Sequence, residues 1–394
     1  MGKLRNVGYE LCDVNIIQAE ISDINHRSEC DTMIEMCGRK VHPVIVAPMA
    51  AVTNADNYKV WLDNDFICVV PRTVDYNVRM QICVNTFCSF SLDEAEDLCK
   101  EGNYLHDNIG DRKFYVCIDI AQGTMRRMYN AAKGLRKHYG DQIEIMAGNA
   151  ATPLAYRYYA DANIDYMRLQ IGSGSRCTTA CNVGIHYPTA TLIDDIMEEK
   201  DEYRKDYFDW KPKSEEPFET KIIVDGGIAN FDDIQKCLAL GAFAVMNGSA
   251  FAKAEEACGE VRYALTTENG EIDFEHGITK AYYDEIYNEY LHHGAYCGDL
   301  STTDKIYIAE SRPYREYYGM STKRAQKECG NVCSKTSEGV VRPVLVEYPI
   351  AKWADNMKSF LASAMSYTNS KNIDEFRENT ELIINLSGDK SYRK

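Results

Sequence analysis

A chain of 394 residues that is 45% hydrophobic and 11% aromatic has ample material for a buried core, which excludes a disordered or fibrous class. Its 44 basic and 60 acidic residues leave a net charge of -16, which repels a phosphate backbone and argues against nucleic acid as a partner. There is no apolar run of 18 residues, and the opening MGKLRNVGYELCD lacks the apolar core of a signal peptide, so a soluble cytoplasmic protein with no membrane partner is expected.

Residues 1–42 have no long periodic segment and read as an irregular lead-in. Eight short apolar runs follow: Pro43 to Ala47, Phe66 to Val70, Gln81 to Phe87, Lys113 to Ile118, Gln142 to Ala147, Asp165 to Leu169, Lys221 to Val224 and Ala242 to Met246. Between most of them lie amphipathic stretches of helical length, such as Leu92 to Lys100, Met125 to His138, Pro153 to Ala162 and Asp232 to Leu240. Strands buried on both faces read as continuous apolar runs, so this alternation predicts a (β/α)8 barrel. An open doubly wound sheet fits less well, because no Gly-x-Gly-x-x-Gly follows the first run.

In a barrel, the residues just after each run share one rim, where barrel enzymes keep their chemistry. Here those residues include Pro71-Arg72, Asp119, Gly148-Asn149, a loop starting at Gly172, Asp225-Gly226-Gly227 and Asn247-Gly248-Ser249. The loops after the seventh and eighth strands often bind phosphate. Their glycines allow close backbone approach, and Asp225 can accept hydrogen bonds from ribose hydroxyls. The loop Gly172-Ser173-Gly174-Ser175-Arg176-Cys177-Thr178-Thr179 combines four small residues, suited to turning N–H groups toward an anion, with a thiol and a hydroxyl two residues apart. It reads as a nucleotide-gripping loop that carries a nucleophile, and with the two glycine loops it makes a nucleotide monophosphate the expected ligand.

The acidic stretch from about Met197 to Glu219 reads as an insertion before the seventh strand, with Lys211-Pro212-Lys213 and Glu216-Pro217 favouring loop. Residues 254–312 form a second, Tyr-rich insertion after the eighth strand, with room for a helix of its own. Residues 314–346 carry the compact motifs Tyr318-Gly319-Met320-Ser321 and Ser337-Glu338-Gly339 on a single barrel domain. An amphipathic helix is expected around Trp353 to Tyr367, then a loosely held tail over 368–394. The 15 cysteines are odd in number and scattered, which suits reduced thiols. The Cys177/Cys181 and Cys329/Cys333 spacings lack the pattern of a zinc site.

The segments VIVAPMAAVT (44 to 53), CIDIAQG (117 to 123), IMAGNAAT (145 to 152), IGSGSRCTT (171 to 179), VGIHYP (183 to 188), IIVDGGI (222 to 228) and AVMNGSAFA (244 to 252) resemble, in order, the IMP dehydrogenase and GMP reductase family. The lead-in DVNIIQAEISDINHRSECD, the YYGMS segment and KTSEG resemble the reductase branch, which implies that residues 314–346 form an active-site segment and flap. The paired regulatory modules that most dehydrogenases insert after the second strand are missing, as is an Arg-Tyr dyad upstream of Glu338. The resemblance implies that Cys177 attacks C2 of the purine, while Thr179 and Glu338 protonate and expel ammonia. It implies that Ser175, Asp225, Gly227, Gly248, Ser249, Gly319, Met320 and Ser321 hold the nucleotide. Asp119 and Gly172 would lie beside the nicotinamide of NADPH, with Arg72, Lys335 and Ser337 also on the dinucleotide side. Carbonyls of Gly172, Gly174 and Cys177 would take a potassium ion, and the assembly would be a homotetramer. Two alternatives stay open: a dehydrogenase that oxidises IMP with NAD and shares the same three catalytic residues, and a silent barrel whose Tyr-rich insertion binds a partner. The Gly-Ser-Gly-Ser run, Arg176, Arg72, Asn247 and Ser249 depart from the family pattern and leave room for a modified or deoxy guanine nucleotide.

Overall fold

The computed structural model describes residues 7–100, 110–174, 177–210, 215–266, 272–284, 287, 307–330 and 338–385. Eight parallel strands form one sheet: β1 (Val44–Val46), β2 (Val69–Val70), β3 (Phe87–Phe90), β4 (Phe114–Asp119), β5 (Ile143–Ala150), β6 (Tyr166–Leu169), β7 (Lys221–Asp225) and β8 (Ala244–Asn247). From β2 to β8 each pairs with the next in sequence, and β8 pairs with β1 in the register Met246 to Ile45. A parallel bridge from Val46 to Cys68 brings the edges together, giving the (β/α)8 barrel that the alternation predicts. Every residue of β1, β4, β6 and β8 is buried, so their sequences carry no polar alternation.

The helices α1 (Tyr58–Asp63), α2 (Tyr76–Ile82), α3 (Leu92–Asp97), α4 (Arg126–Tyr139), α5 (Ala155–Asp161), α6 (Thr179–Val183), α7 (Thr189–Trp210) and α8 (Phe231–Ala239) fill the connections. Local chemistry sets their starts. Ser91 and Glu94 cap each other's backbone N–H at the head of α3, and Asp75 accepts from Asn77 and Val78 at the head of α2.

Two local expectations are corrected. The third run, read as Gln81 to Phe87, is split: Gln81 and Ile82 end α2, and β3 begins at Phe87. Met80, Ile82 and Cys83 are buried like the strand that follows, so one apolar stretch spans a helix end and a strand start. The acidic stretch from Met197, expected as an insertion, begins as the last turns of α7, which runs to Trp210, while Glu216-Pro217 is loop as expected. Ala190, Ile193 and Ile196 bury one face, and Arg157 on α5 pairs with Glu199 and Asp206 on the next turns. Residues 211–214 lie outside the described residues.

After β8 the short helix α9 (Ser249–Ala252) leads into an antiparallel sheet of β9 (Val261–Thr266), β10 (Ile272–Thr279), β11 (Tyr307–Tyr317) and β12 (Arg342–Leu345), in the order β10-β9-β11-β12. The Tyr-rich insertion therefore supplies strands as well as the helical residues 280–284. Tyr317 pairs with Arg342, so the segment between them, which includes α10 (Lys323–Glu328), is the excursion between two neighbouring strands.

The helix α11 (Ile350–Tyr367) then packs against the barrel through Trp353, whose ring lies 5.4 Å from Phe231, 5.7 Å from Phe251 and 6.2 Å from Phe66. The expected loose tail is corrected up to residue 385. The helix α12 (Ile373–Asn379) buries Ile373 and Phe376, and strand β13 (Leu382–Ile384) pairs with Val14–Ile16 of the lead-in.

Candidate active site

Strand β6 ends in a backbone that only a few residues tolerate: Gln170 has φ 94° and Gly172 φ 81°. Gln170 is held there by its own side chain, which donates to Tyr187 O and Thr189 Oγ1 at 2.7 Å and accepts from Ile171 N at 3.0 Å. A β-carbon on Gly172 would lie 2.8 Å from Ala180 Cβ and 2.9 Å from Ile185 O, so only glycine lets α6 pack this close. The turn closes when Cys177 N donates to Gly174 O at 2.9 Å.

That turn places Cys177 Sγ 3.1 Å from Thr179 Oγ1, with the thiol donating. The Thr179 hydroxyl in turn donates to Glu338 Oε2 at 2.6 Å. Glu338 arrives from the excursion between β11 and β12 and is locked by backbone: Thr178 N donates to Glu338 O at 2.8 Å, and Cys177 forms an antiparallel bridge with Gly339. The three residues read from the sequence as catalytic thus form one unbroken line of hydrogen bonds. Burial pushes the Cys117 thiol of β4 up to about 12, with the Arg168 charge only partly opposing, so that thiol stays protonated.

Other site residues join the same mouth through a chain of contacts. Gly226 and Gly227, with φ 98° and 78°, bring the loop after β7 against Ser173; β-carbons there would lie 3.0 Å from Ser173 Oγ and 3.2 Å from Ser173 Cβ. Asn247 donates to Ile228 O at 3.1 Å and accepts from Ser249 and Ala250, which ties the loops after β7 and β8 together. Gly248 sits under Tyr317 and Met49 with no space for a side chain. Met320, like Ala50 of the loop after β1, packs against a small buried cluster of Ala51, Tyr318 and Ala325. A β-carbon on Gly339 would lie 2.7 Å from Ser321 Oγ, which brings the Gly319-Met320-Ser321 turn to the flap residue beside Cys177. Ser175, Lys335 and Ser337 lie outside the described residues.

Asp119 ends β4 and Arg72 follows β2, with Arg72 Nε 4.0 Å from Asp119 Oδ2. Both atoms are buried without a hydrogen-bond partner in the protein. Sequence reasoning missed the group that joins Asp119 to Asp225. Arg168 of β6 is buried and donates to Asp119 Oδ1 at 2.7 Å and to Asp225 Oδ2 at 2.7 Å from Nη2 and 3.2 Å from Nε. Asn149 also donates to Asp225 Oδ2, at 2.8 Å. Burial alone would raise the Asp119 carboxyl, but the charges of Arg168 and then Arg72 hold it below the usual carboxylate range. The available signal was a lone basic residue inside a run otherwise read as buried on both faces.

Among the described residues no group of three or more His, Cys, Asp and Glu side chains is placed to hold a metal ion, no disulfide forms, and no helix is long and apolar enough to cross a membrane.

The family model for the IMP dehydrogenase / GMP reductase domain matches residues 99–272. A GMP reductase of Shouchella clausii is 26% identical over 391 residues, covering 96% of this chain and 97% of that protein. A GMP reductase of Staphylococcus saprophyticus is 30% identical over 245 residues, covering 60% of this chain and 68% of that protein. An inosine-5'-monophosphate dehydrogenase of Chlorobaculum parvum is 29% identical over 268 residues, covering 68% of this chain but only 44% of that protein. With its barrel, its cysteine loop and these relatives, the chain belongs to the IMP dehydrogenase / GMP reductase family of purine-nucleotide oxidoreductases.

Proposed function

We propose that the chain works as a GMP reductase, converting GMP or a related guanine nucleotide such as dGMP to IMP and ammonia with NADPH, through a covalent bond from Cys177 to C2 of the purine. The observation that carries this reading is the line from the Cys177 thiol through the Thr179 hydroxyl to the Glu338 carboxylate, at 3.1 and 2.6 Å. The proton passes along it to Glu338 as sulfur adds to C2, and returns through Thr179 to the exocyclic amine. The C–N bond then breaks, the amine leaves as ammonia, and a thioimidate joins Cys177 to the base. One thiol proton is lost and one ammonia is formed, so the step balances. NADPH, when bound, supplies the hydride that reaches C2 as the C–S bond breaks and IMP is released.

The residues present fit these ligands. The buried, unpartnered Arg72 Nε and Asp119 Oδ2 offer a donor and an acceptor on the dinucleotide side, and the buried Ser173 Oγ lies unpartnered at the nucleotide loop. Asp225, Gly227, Gly248, Ser249 and Gly319 to Ser321, with Ser175, form the proposed nucleotide cradle. Lys335 and Ser337 belong to the proposed dinucleotide side. Gly174 O accepts one hydrogen bond, from Cys177 N, and keeps a second lone pair; with the carbonyls of Gly172 and Cys177 it forms the proposed potassium site. A homotetramer is the proposed assembly. The reductase branch is favoured because the Shouchella GMP reductase aligns over 97% of its length. Residues 71–86, between β2 and β3, hold only α2 and short turns, with no inserted module. Replacing Cys177 by alanine is expected to abolish turnover while the GMP dissociation constant, read by calorimetry, stays within about threefold; surviving turnover would remove the covalent step.

A further inference from the structure

Asp119 and Asp225 share the Arg168 counter-charge, and Asp119 has Arg72 as a second, looser one. The Arg168 guanidinium is buried and engages one oxygen of each, Asp119 Oδ1 at 2.7 Å and Asp225 Oδ2 at 2.7 Å. Asn149 takes up the same Asp225 oxygen at 2.8 Å. The scaffold therefore consumes Asp225 Oδ2 and Asp119 Oδ1, while Asp119 Oδ2 is buried with no hydrogen bond and only Arg72 Nε near it, at 4.0 Å. Arg168 thus leaves the other oxygen of each carboxylate unengaged, Asp225 Oδ1 at the proposed nucleotide cradle and Asp119 Oδ2 beside Arg72 at the proposed dinucleotide side. A buried guanidinium is screened little by salt, and its fork fixes the angle of both carboxylates at once. A ligand that draws on one carboxylate changes the pull of Arg168 on the other. A merely structural ion pair would not require that Arg168 be divided between two different subsites.

We propose that Arg168 is a positioning residue that couples the nucleotide and dinucleotide subsites, an inference that rests on the purine-nucleotide reading above. Lysine keeps the charge but is a point donor without the fork, so it holds one carboxylate well and not both.

The test is a double-mutant cycle read by calorimetric GMP titration of the full chain as wild type, Asp119→Asn, Arg168→Lys and the double variant. With Arg168 in place, Asp119→Asn is expected to weaken GMP binding about fivefold or more, although Asp119 lies on the dinucleotide side; in the Arg168→Lys background the same substitution is expected to change it by less than about twofold. Equal shifts in the two backgrounds, or no shift in either, would overturn the inference. The reciprocal measurement, NADPH affinity in Asp225→Asn, leaves the buried arginine untouched; an unchanged affinity there also overturns it. A wild type that binds neither GMP nor IMP would defeat the nucleotide reading and the coupling with it, whereas one that binds GMP indifferently to Asp119→Asn defeats the coupling alone.

Discussion

Glu338 touches the thiol only through Thr179, so a change at its carboxylate separates binding from proton transfer. Glutamine in its place keeps the shape and can still meet the Thr179 hydroxyl, but it cannot take up the thiol proton and return it to the amine. Glu338→Gln is therefore expected to lower kcat by about 10²- to 10⁴-fold with a GMP dissociation constant nearly unchanged; stopped-flow NADPH oxidation beside calorimetry checks this, and an unaltered kcat takes Glu338 out of the path. The pairing of thiol and hydroxyl was legible in the sequence because they stand only two residues apart, whereas Glu338, 159 residues on from Thr179, was placed with them only by the family resemblance. Arg168 was not legible, because its partners lie 49 and 57 residues away and the sequence shows only an arginine in an apolar strand.

At the scale of elements, continuous burial made the barrel readable. Strands with both faces covered lose their polar alternation, so β1, β4, β6 and β8 stand out as apolar runs. The same rule misplaced β3, since the end of α2 faces the same core and its side chains look alike in one dimension. The sheet β9 to β12 was hidden for the opposite reason. Its strands are only partly covered, and its central strands β9 and β11 pair through residues such as Arg262 and Tyr314 that are far apart in the chain. The end of the chain shows how little polarity says about attachment. Phe376 of α12 is fully buried among polar neighbours. Phe376→Ala is expected to cost about 3–5 kcal/mol of stability, read by urea unfolding, whereas a loss below about 1 kcal/mol would mean that α12 contributes little to the fold.

For the molecule as a whole, one buried base links stability to acidity. His42 lies just before β1, its ring 4.8 Å from Phe66 and its Nδ1 buried without a hydrogen-bond partner. Burial pushes it down from 6.5 to about 4, so the folded chain holds it neutral where the unfolded chain would protonate it. Its contribution is fully present above about pH 6.5 and is lost as pH falls from there toward 4, amounting to roughly 3 kcal/mol. The gap between wild type and His42→Leu in unfolding free energy should change by that order between pH 7 and pH 4; parallel curves would show that His42 does not titrate in this way.

The central claim is that the cysteine line and the barrel mouth together reduce a guanine nucleotide. Its most direct measurement follows NADPH absorbance with purified protein and GMP, with dGMP beside it and NAD with IMP in parallel, while ammonia is assayed. The account predicts that NADPH is consumed with GMP or dGMP and that one ammonia appears per NADPH. A rise in NADH absorbance with IMP, or no change in any mixture, would contradict it.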